Sequence, residues 1–180
     1  MDKTTKYTTL SSELLFQNPY WNYRFDKYIL PNGETGDYHF VDSRGSTLVI
    51  PILEDGRIIM TRQFRYLNRK FSIEFPGGGI KAELSPVENA REELHEEVGY
   101  SCGKIELMGT FNPFNGVTNE ICSIFTASDL VNIGSKPESS EEFEILYFHS
   151  NQITELITKG ELWDGMSLAA YALFQSKIKN

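Results

Sequence analysis

The fold of this chain is decided by the stretch SPVENAREELHEEVG, residues 85–99. Ser85 can cap the open amide groups of a helix whose first residue is Pro86, and Glu88 completes a capping box. Gly99 supplies the left-handed residue that commonly ends a helix. The pattern therefore predicts a helix that runs between these two caps.

One side of this helix carries a dense set of carboxylates. Glu93 and Glu97 are one turn apart, and Glu96 lies within roughly 100° of them around the helix. Like charges at this spacing repel each other by roughly 0.2–0.5 kcal/mol per pair. Two interpretations stay open: the face is simply solvated, or a cation that the chain does not supply neutralises the repulsion. Clustered carboxylates suit Mg²⁺ or Mn²⁺, which prefer oxygen ligands.

A glycine run lies just upstream of the helix. A predicted strand over residues 71–75 leads through Pro76 into Gly77, Gly78 and Gly79. Glycines allow the backbone to approach an ion or a phosphate closely, although a glycine run alone is usually a turn. The order of strand, glycine loop and capped acidic helix favours an ion or phosphate site.

These residues resemble the Nudix hydrolase family, whose box reads Gly, five residues, Glu, seven residues, then Arg-Glu-aliphatic-x-Glu-Glu-x-Gly-aliphatic. The second half of the box matches residues 93–100, which read ELHEEVGY. Anchored there, the opening glycine is Gly78, but Leu84 stands at the first glutamate position and Glu92 at the arginine position. The family's Glu–Arg pair is therefore absent as such, whereas the carboxylates expected to hold metal are retained.

The resemblance extends beyond the box to the branch that hydrolyses ADP-ribose and other nucleoside diphosphate sugars. The segments that carry it are RQFRY at 62–66, IEFPGG at 73–78, GTFNPFNG at 109–116, EEFE at 141–144 and GELWD at 160–164. In that branch, a proline in the segment after the box accompanies ADP-ribose specificity.

The resemblance implies metal-assisted hydrolysis of a diphosphate bond, with Mg²⁺ or Mn²⁺ as the cofactor and a small-molecule diphosphate as the substrate. The general base is expected either among the helix glutamates or in the acidic loop that holds Glu138, Glu141 and Glu142, with Glu141 favoured. That loop is equally well explained as a solvated turn. The implied metal-binding residues are Gly77, through its carbonyl, Glu93, Glu96 and Glu97, and the implied catalytic residues are Glu97, Glu96 and Glu141.

Four residues are candidates for substrate binding. Arg62 and Arg65 can bind phosphate or a carboxylate through bidentate contacts, and their odd spacing on a predicted strand places them on opposite faces. We therefore expect only one of them, Arg65, in the cleft. Pro113 either borders the sugar or forms a plain turn, and Trp21 either stacks on a base or packs in the core.

The implied fold class is α+β: a Nudix α/β/α sandwich with a mixed sheet over residues 45–180. Residues 1–44 are rich in aromatic side chains and turn signals, which predict a small N-terminal antiparallel β unit. A sheet this small has little core of its own and usually packs against another surface. We therefore expect it to mediate dimerisation or to cover the substrate side with aromatic side chains. The family resemblance implies a homodimer. Two more helices are expected near 150–159 and 168–178.

Composition narrows the possible functions. The chain has 180 residues, 17 Lys and Arg against 25 Asp and Glu, and a net charge of −8. This balance argues against a nucleic-acid partner, which requires a cationic surface. No apolar run approaches the roughly 18 residues of a membrane span, and the two cysteines form no disulfide framework, so we expect a cytoplasmic protein. Two alternatives stay open: a catalytically weak or inactive ligand-binding domain, or a pyrophosphatase acting on a dinucleotide or nucleoside triphosphate.

Overall fold

The computed structural model describes residues 6–135 and 143–178. Within these ranges the chain forms ten strands and three helices. In chain order they are β1 (Thr8–Gln17), β2 (Asn22–Ile29), β3 (Thr35–Asp42), β4 (Ser46–Pro51), β5 (Ile58–Arg65), β6 (Lys70–Glu74), β7 (Gly77–Gly79), α1 (Pro86–Val98), β8 (Tyr100–Phe111), β9 (Cys122–Asn132), β10 (Glu144–Phe148), α2 (Ser150–Lys159) and α3 (Gly165–Ile178). None of these helices is long and apolar enough to span a membrane.

The strands of the described chain form three sheets. One is the antiparallel meander β1-β2-β3, the second has the order β10-β5-β6, and the third has the order β7-β4-β9-β8. The third sheet is mixed, because β4 and β9 run parallel while its other pairs are antiparallel.

The chain divides into two compact units. The first consists of the residues before Ser46 together with the segment Asn112–Ile121, and the second contains the rest. In the first unit, the Tyr38 hydroxyl donates to the Gly116 carbonyl at 3.0 Å, which ties that segment to the meander. The functions predicted for residues 1–44, dimerisation or aromatic cover, stay predictions.

The second unit has helices on both sides of its central strand. Ile50 of β4 belongs to a buried cluster with Phe174 of α3, whereas its neighbour Val49 belongs to a cluster with Leu94 of α1. Successive side chains of a strand point to opposite faces, so β4 is buried on both faces and reads as a continuous apolar run. The prediction of an α+β fold with an α/β/α sandwich and a mixed sheet is confirmed.

Helix α1 has the predicted ends. The Ser85 hydroxyl accepts the Glu88 amide, and the Glu88 carboxylate accepts the Ser85 amide at 2.9 Å. Gly99 closes the helix at φ 76°. The last helix begins at Gly165, before the residue expected from the sequence, because the Asp164 carboxylate caps it by accepting the Ser167 amide at 2.7 Å.

Candidate active site

The glycine run forms a short strand pressed against β4. Gly77, Gly78 and Gly79 pair with Leu48, Thr47 and Ser46 in an antiparallel ladder. A side chain at Gly77 would overlap the backbone carbonyl oxygen of Thr47. The close approach therefore requires glycine, and it fixes the backbone of this strand in front of helix α1.

Two glutamates of α1 lie against this glycine strand. The Glu97 carboxylate accepts the Gly77 amide at 3.3 Å. A Cβ atom at Gly78 would stand only 2.6 Å from Glu93 Oε1. Glu93 is 8% exposed and Glu97 is 5% exposed, although both are acidic. Two buried carboxylates one helical turn apart concentrate negative charge beside the glycine strand.

A buried asparagine, to which the sequence pattern assigned no role, holds the same region together. Asn89 donates to the Thr47 hydroxyl at 2.9 Å and accepts the Lys81 amide at 3.0 Å. Its amide nitrogen also lies 3.5 Å from Glu93 Oε1, one helical turn away. Asn89 thus joins the loop, β4 and the acidic face of α1. In the sequence, this role is indicated by the position of Asn89 four residues before Glu93, on the same side of the helix.

The third glutamate, Glu96, lies at the more exposed edge of the helix. Its two carboxylate oxygens accept the Lys81 ammonium at 2.9 and 3.0 Å. The same ammonium lies 3.2 Å from Glu92 Oε2. These contacts, the one with Glu96 first, raise the pKa of Lys81 well above its usual range, so the lysine is charged at every ordinary pH.

Arg65 faces a buried carboxylate. Its guanidinium donates to both oxygens of Glu74, with the Nε contact at 2.8 Å, and Gln63 Nε2 lies 3.4 Å from the same group. Glu74 is 5% exposed. The hydrogen bond to Glu74 raises the pKa of Arg65, and the charges of Asp164 and Glu97 act in the same direction. Arg65 is therefore electrostatically coupled to the acidic site, and Glu74 is a further residue to which the sequence pattern assigned no role.

Arg62 is engaged elsewhere. It donates to Glu144 of β10 at 2.8 Å, and its guanidinium lies 3.9 Å from the centroid of the Phe71 ring. Arg65 contacts Glu74 instead, on the other side of the strand. This difference agrees with the expected placement of the two arginines on opposite faces. A role for Arg62 in substrate binding stays a prediction.

The structure does not test the roles of the remaining predicted site residues. Trp21 and Pro113 both belong to the first unit, where Trp21 packs against Phe16 with ring centroids 5.8 Å apart. Trp21 also borders a cavity of about 130 Å³ next to Arg44. Their substrate roles stay predictions. Glu138, Glu141 and Glu142 lie outside the described residues, so the predicted base in that loop has no structural description.

The chemistry of these donors fits a hard divalent cation. Within the described ranges, no group of three or more His, Cys, Asp or Glu side chains could hold a metal by itself. Glu93 and Glu97 nevertheless supply two buried carboxylates beside the backbone of the glycine strand. Mg²⁺ needs no closed protein cage, because it usually keeps several waters and binds one or two carboxylates together with substrate phosphates. Glu93, Glu97 and the Gly77 carbonyl would suffice.

Comparisons with known proteins add independent findings. The NUDIX domain family matches residues 42–170. ADP-ribose pyrophosphatase of Bacillus subtilis (strain 168) is 27% identical over 179 residues, covering 98% of this chain and 96% of that protein. Methanol dehydrogenase activator of Bacillus methanolicus is 27% identical over 188 residues, and the match covers 100% of both proteins. A crystal structure of an ADP compounds hydrolase has a TM-score of 0.84 at 18% identity, covering 99% of this chain and 97% of that one, a likeness that shows the fold alone.

Proposed function

The chain belongs to the NUDIX family and is a pyrophosphatase, and from this premise we propose that it hydrolyses ADP-ribose or a closely related nucleoside diphosphate sugar with bound Mg²⁺ or Mn²⁺. The products are a nucleoside monophosphate and a sugar phosphate. The observation that carries the proposal is the burial of Glu93 and Glu97 against the glycine strand.

The acidic site accounts for the need for a cation. A diphosphate brings negative charge to a protein whose net charge is already −8, and the site itself is built from carboxylates. Divalent ions held there would supply the positive charge that polarises the phosphorus–oxygen bonds and would lower the pKa of an attacking water. Glu93, Glu97 and the Gly77 carbonyl would hold them.

The other polar residues position the substrate and the water. Hydrogen bonds to Glu74 hold the Arg65 guanidinium in place, and the charge of Glu97 helps to raise its pKa. The remaining donors of Arg65 can bind a phosphate oxygen. Glu96 and Glu141 are the candidates for orienting or deprotonating water. Trp21 and Pro113 are the candidates for contacts with the base and the sugar.

The proposal also includes the cellular location of the enzyme. We place it in the cytoplasm, and the presence of Cys102 and Cys122 as thiols supports a reducing compartment. Burial raises the pKa of the Cys102 thiol, which disfavours the reactive thiolate there.

A substrate panel tests the proposed function. The purified protein is incubated with ADP-ribose, other nucleoside diphosphate sugars, a dinucleotide and a nucleoside triphosphate, each with Mg²⁺ or Mn²⁺ in ¹⁸O-labelled water. We expect ADP-ribose or a related sugar nucleotide to be cleaved fastest, giving a monophosphate and a sugar phosphate with the label in one of them. Faster cleavage of the dinucleotide or triphosphate, or no metal-dependent cleavage at all, would contradict the proposed function.

A homodimer is the assembly we propose, supported by the exposed surface of the first unit. Every residue of β1 is exposed, including Leu10, Leu14, Leu15 and Phe16. Apolar side chains exposed side by side typically mark an interaction surface. We expect sedimentation at micromolar concentration to give twice the mass of one chain, and Leu15→Glu to shift the protein toward monomer. Glu13→Gln on the same strand is the matched control, and a monomeric wild type would contradict the dimer.

A further inference from the structure

Lys81 is fixed at both its backbone and its side chain. Its amide donates to the buried Asn89 at 3.0 Å, and its carbonyl accepts the Leu84 amide at 3.1 Å. Its ammonium contacts both oxygens of Glu96 and one oxygen of Glu92. These contacts hold both the backbone and the side chain of Lys81, so the loop places its ammonium beside the Glu96 carboxylate.

The position of Glu92 explains what this lysine is needed for. Glu92 and Glu96 are one helical turn apart, where two carboxylates repel each other. The family pattern has an arginine at the position of Glu92, and an arginine there would lie one turn from Glu96. The nearby helix cation, Arg91, is used elsewhere, because it donates to the Cys102 carbonyl at 2.8 Å. Lys81 therefore supplies, from the loop, a positive charge to the side of the helix that carries Glu92 and Glu96.

We propose that Lys81 positions Glu96 in place of the missing arginine, holding this carboxylate out of direct coordination to the ion so that it orients the attacking water. Glu93 and Glu97, which lie against the glycine strand, are then left to bind the ion. The proposal rests on the proposed function, because the water matters only if the chain hydrolyses a diphosphate. Lys81 is a positioning residue that acts through Glu96.

This assignment predicts two opposite effects when Lys81 is replaced by methionine. Divalent-ion binding tightens, because a positive charge beside the site is lost and Glu96 is released as an additional ligand. Turnover slows, because the carboxylate that orients the water no longer has a fixed place. A general structural defect would weaken both binding and turnover, so the opposite directions separate the two explanations.

The experiment compares wild type, Lys81→Met and the double variant Lys81→Met with Glu92→Arg. Mn²⁺ affinity is measured by electron paramagnetic resonance without substrate, and kcat and KM are measured at saturating Mg²⁺. We expect Lys81→Met to bind Mn²⁺ roughly 10-fold more tightly, because a positive charge that repels the ion is removed. It should lose roughly 10-fold or more in kcat, with KM little changed. The double variant should return both values toward wild type, since the arginine introduced in place of Glu92 would lie one turn from Glu96.

The controls keep the outcomes distinct. Lys104→Met removes an exposed lysine that pairs with Glu106 at 3.2 Å, and it should leave both readouts unchanged. Lys81→Gln gives the same two readouts should the methionine variant fail to fold. Weaker Mn²⁺ binding, an unchanged kcat, or no recovery in the double variant would overturn the role of Lys81. A wild type without turnover would instead defeat the proposed function, while the Mn²⁺ titration would still test Lys81.

Discussion

Glu97→Gln is expected to lower metal-dependent hydrolysis of ADP-ribose or the preferred sugar nucleotide by roughly 10²- to 10⁴-fold, the range for loss of a positioned catalytic carboxylate. Glutamine keeps the size of the side chain, and its amide oxygen can still accept the Gly77 amide, which Glu97 accepts at 3.3 Å. The fold should therefore persist. The negative charge that draws a cation to a residue only 5% exposed is lost.

The measurement is initial-rate kinetics with Mg²⁺ at several concentrations, together with thermal unfolding. Glu155→Gln is the matched control, because Glu155 is an exposed helical glutamate whose pairing with Lys159 at 3.8 Å is weak. It should leave the rate unchanged. A Glu97→Gln protein that turns over at the wild-type rate would remove Glu97 from the site.

Gly78→Ala is expected to lower activity roughly 10- to 100-fold through the position of one carboxylate, the range typical when a metal ligand loses its orientation. The added Cβ would stand 2.6 Å from Glu93 Oε1 and 3.0 Å from its Cδ atom. The atoms in conflict are the end of a side chain, which can move away, so the carboxylate shifts while the fold survives. The loss should appear as a higher Mg²⁺ requirement.

The neighbouring glycine provides the matched control for that change. A Cβ at Gly79 would meet nothing within 4 Å, so Gly79→Ala should retain the wild-type rate and Mg²⁺ requirement. Both variants add one methyl group to the same strand, and both are followed by kinetics and by thermal unfolding. Equal losses in the two variants would show that the strand, and not Glu93, is responsible.

The sequence predicts those parts of the site that depend on neighbours along the chain. The capping box of α1 and the facing of Glu93 and Glu97 follow from helical spacing within residues 85–99, which is why they agree with the structure. The division of Arg62 and Arg65 between two faces follows from the alternation of a strand in the same way.

What the sequence does not predict depends on distant partners. Asn89 bonds to Thr47, which is 42 residues away along the chain, and its position one helical turn before Glu93 does not reveal this distant partner. The association of Asn112–Ile121 with the first unit is another long-range contact. Lys81 lies 15 residues before Glu96, so its ammonium reaches that carboxylate only after the loop has folded back onto α1.

The central claim is that the acidic face of α1 is assembled to bind divalent cations. Its most direct test is titration of the wild-type protein and of Glu97→Gln with Mn²⁺, followed by electron paramagnetic resonance, in the absence and presence of ADP. Wild type should bind Mn²⁺, more tightly with ADP, and the variant should bind it roughly 10-fold more weakly or worse. Wild-type protein that takes up no Mn²⁺ even with ADP present would contradict the claim.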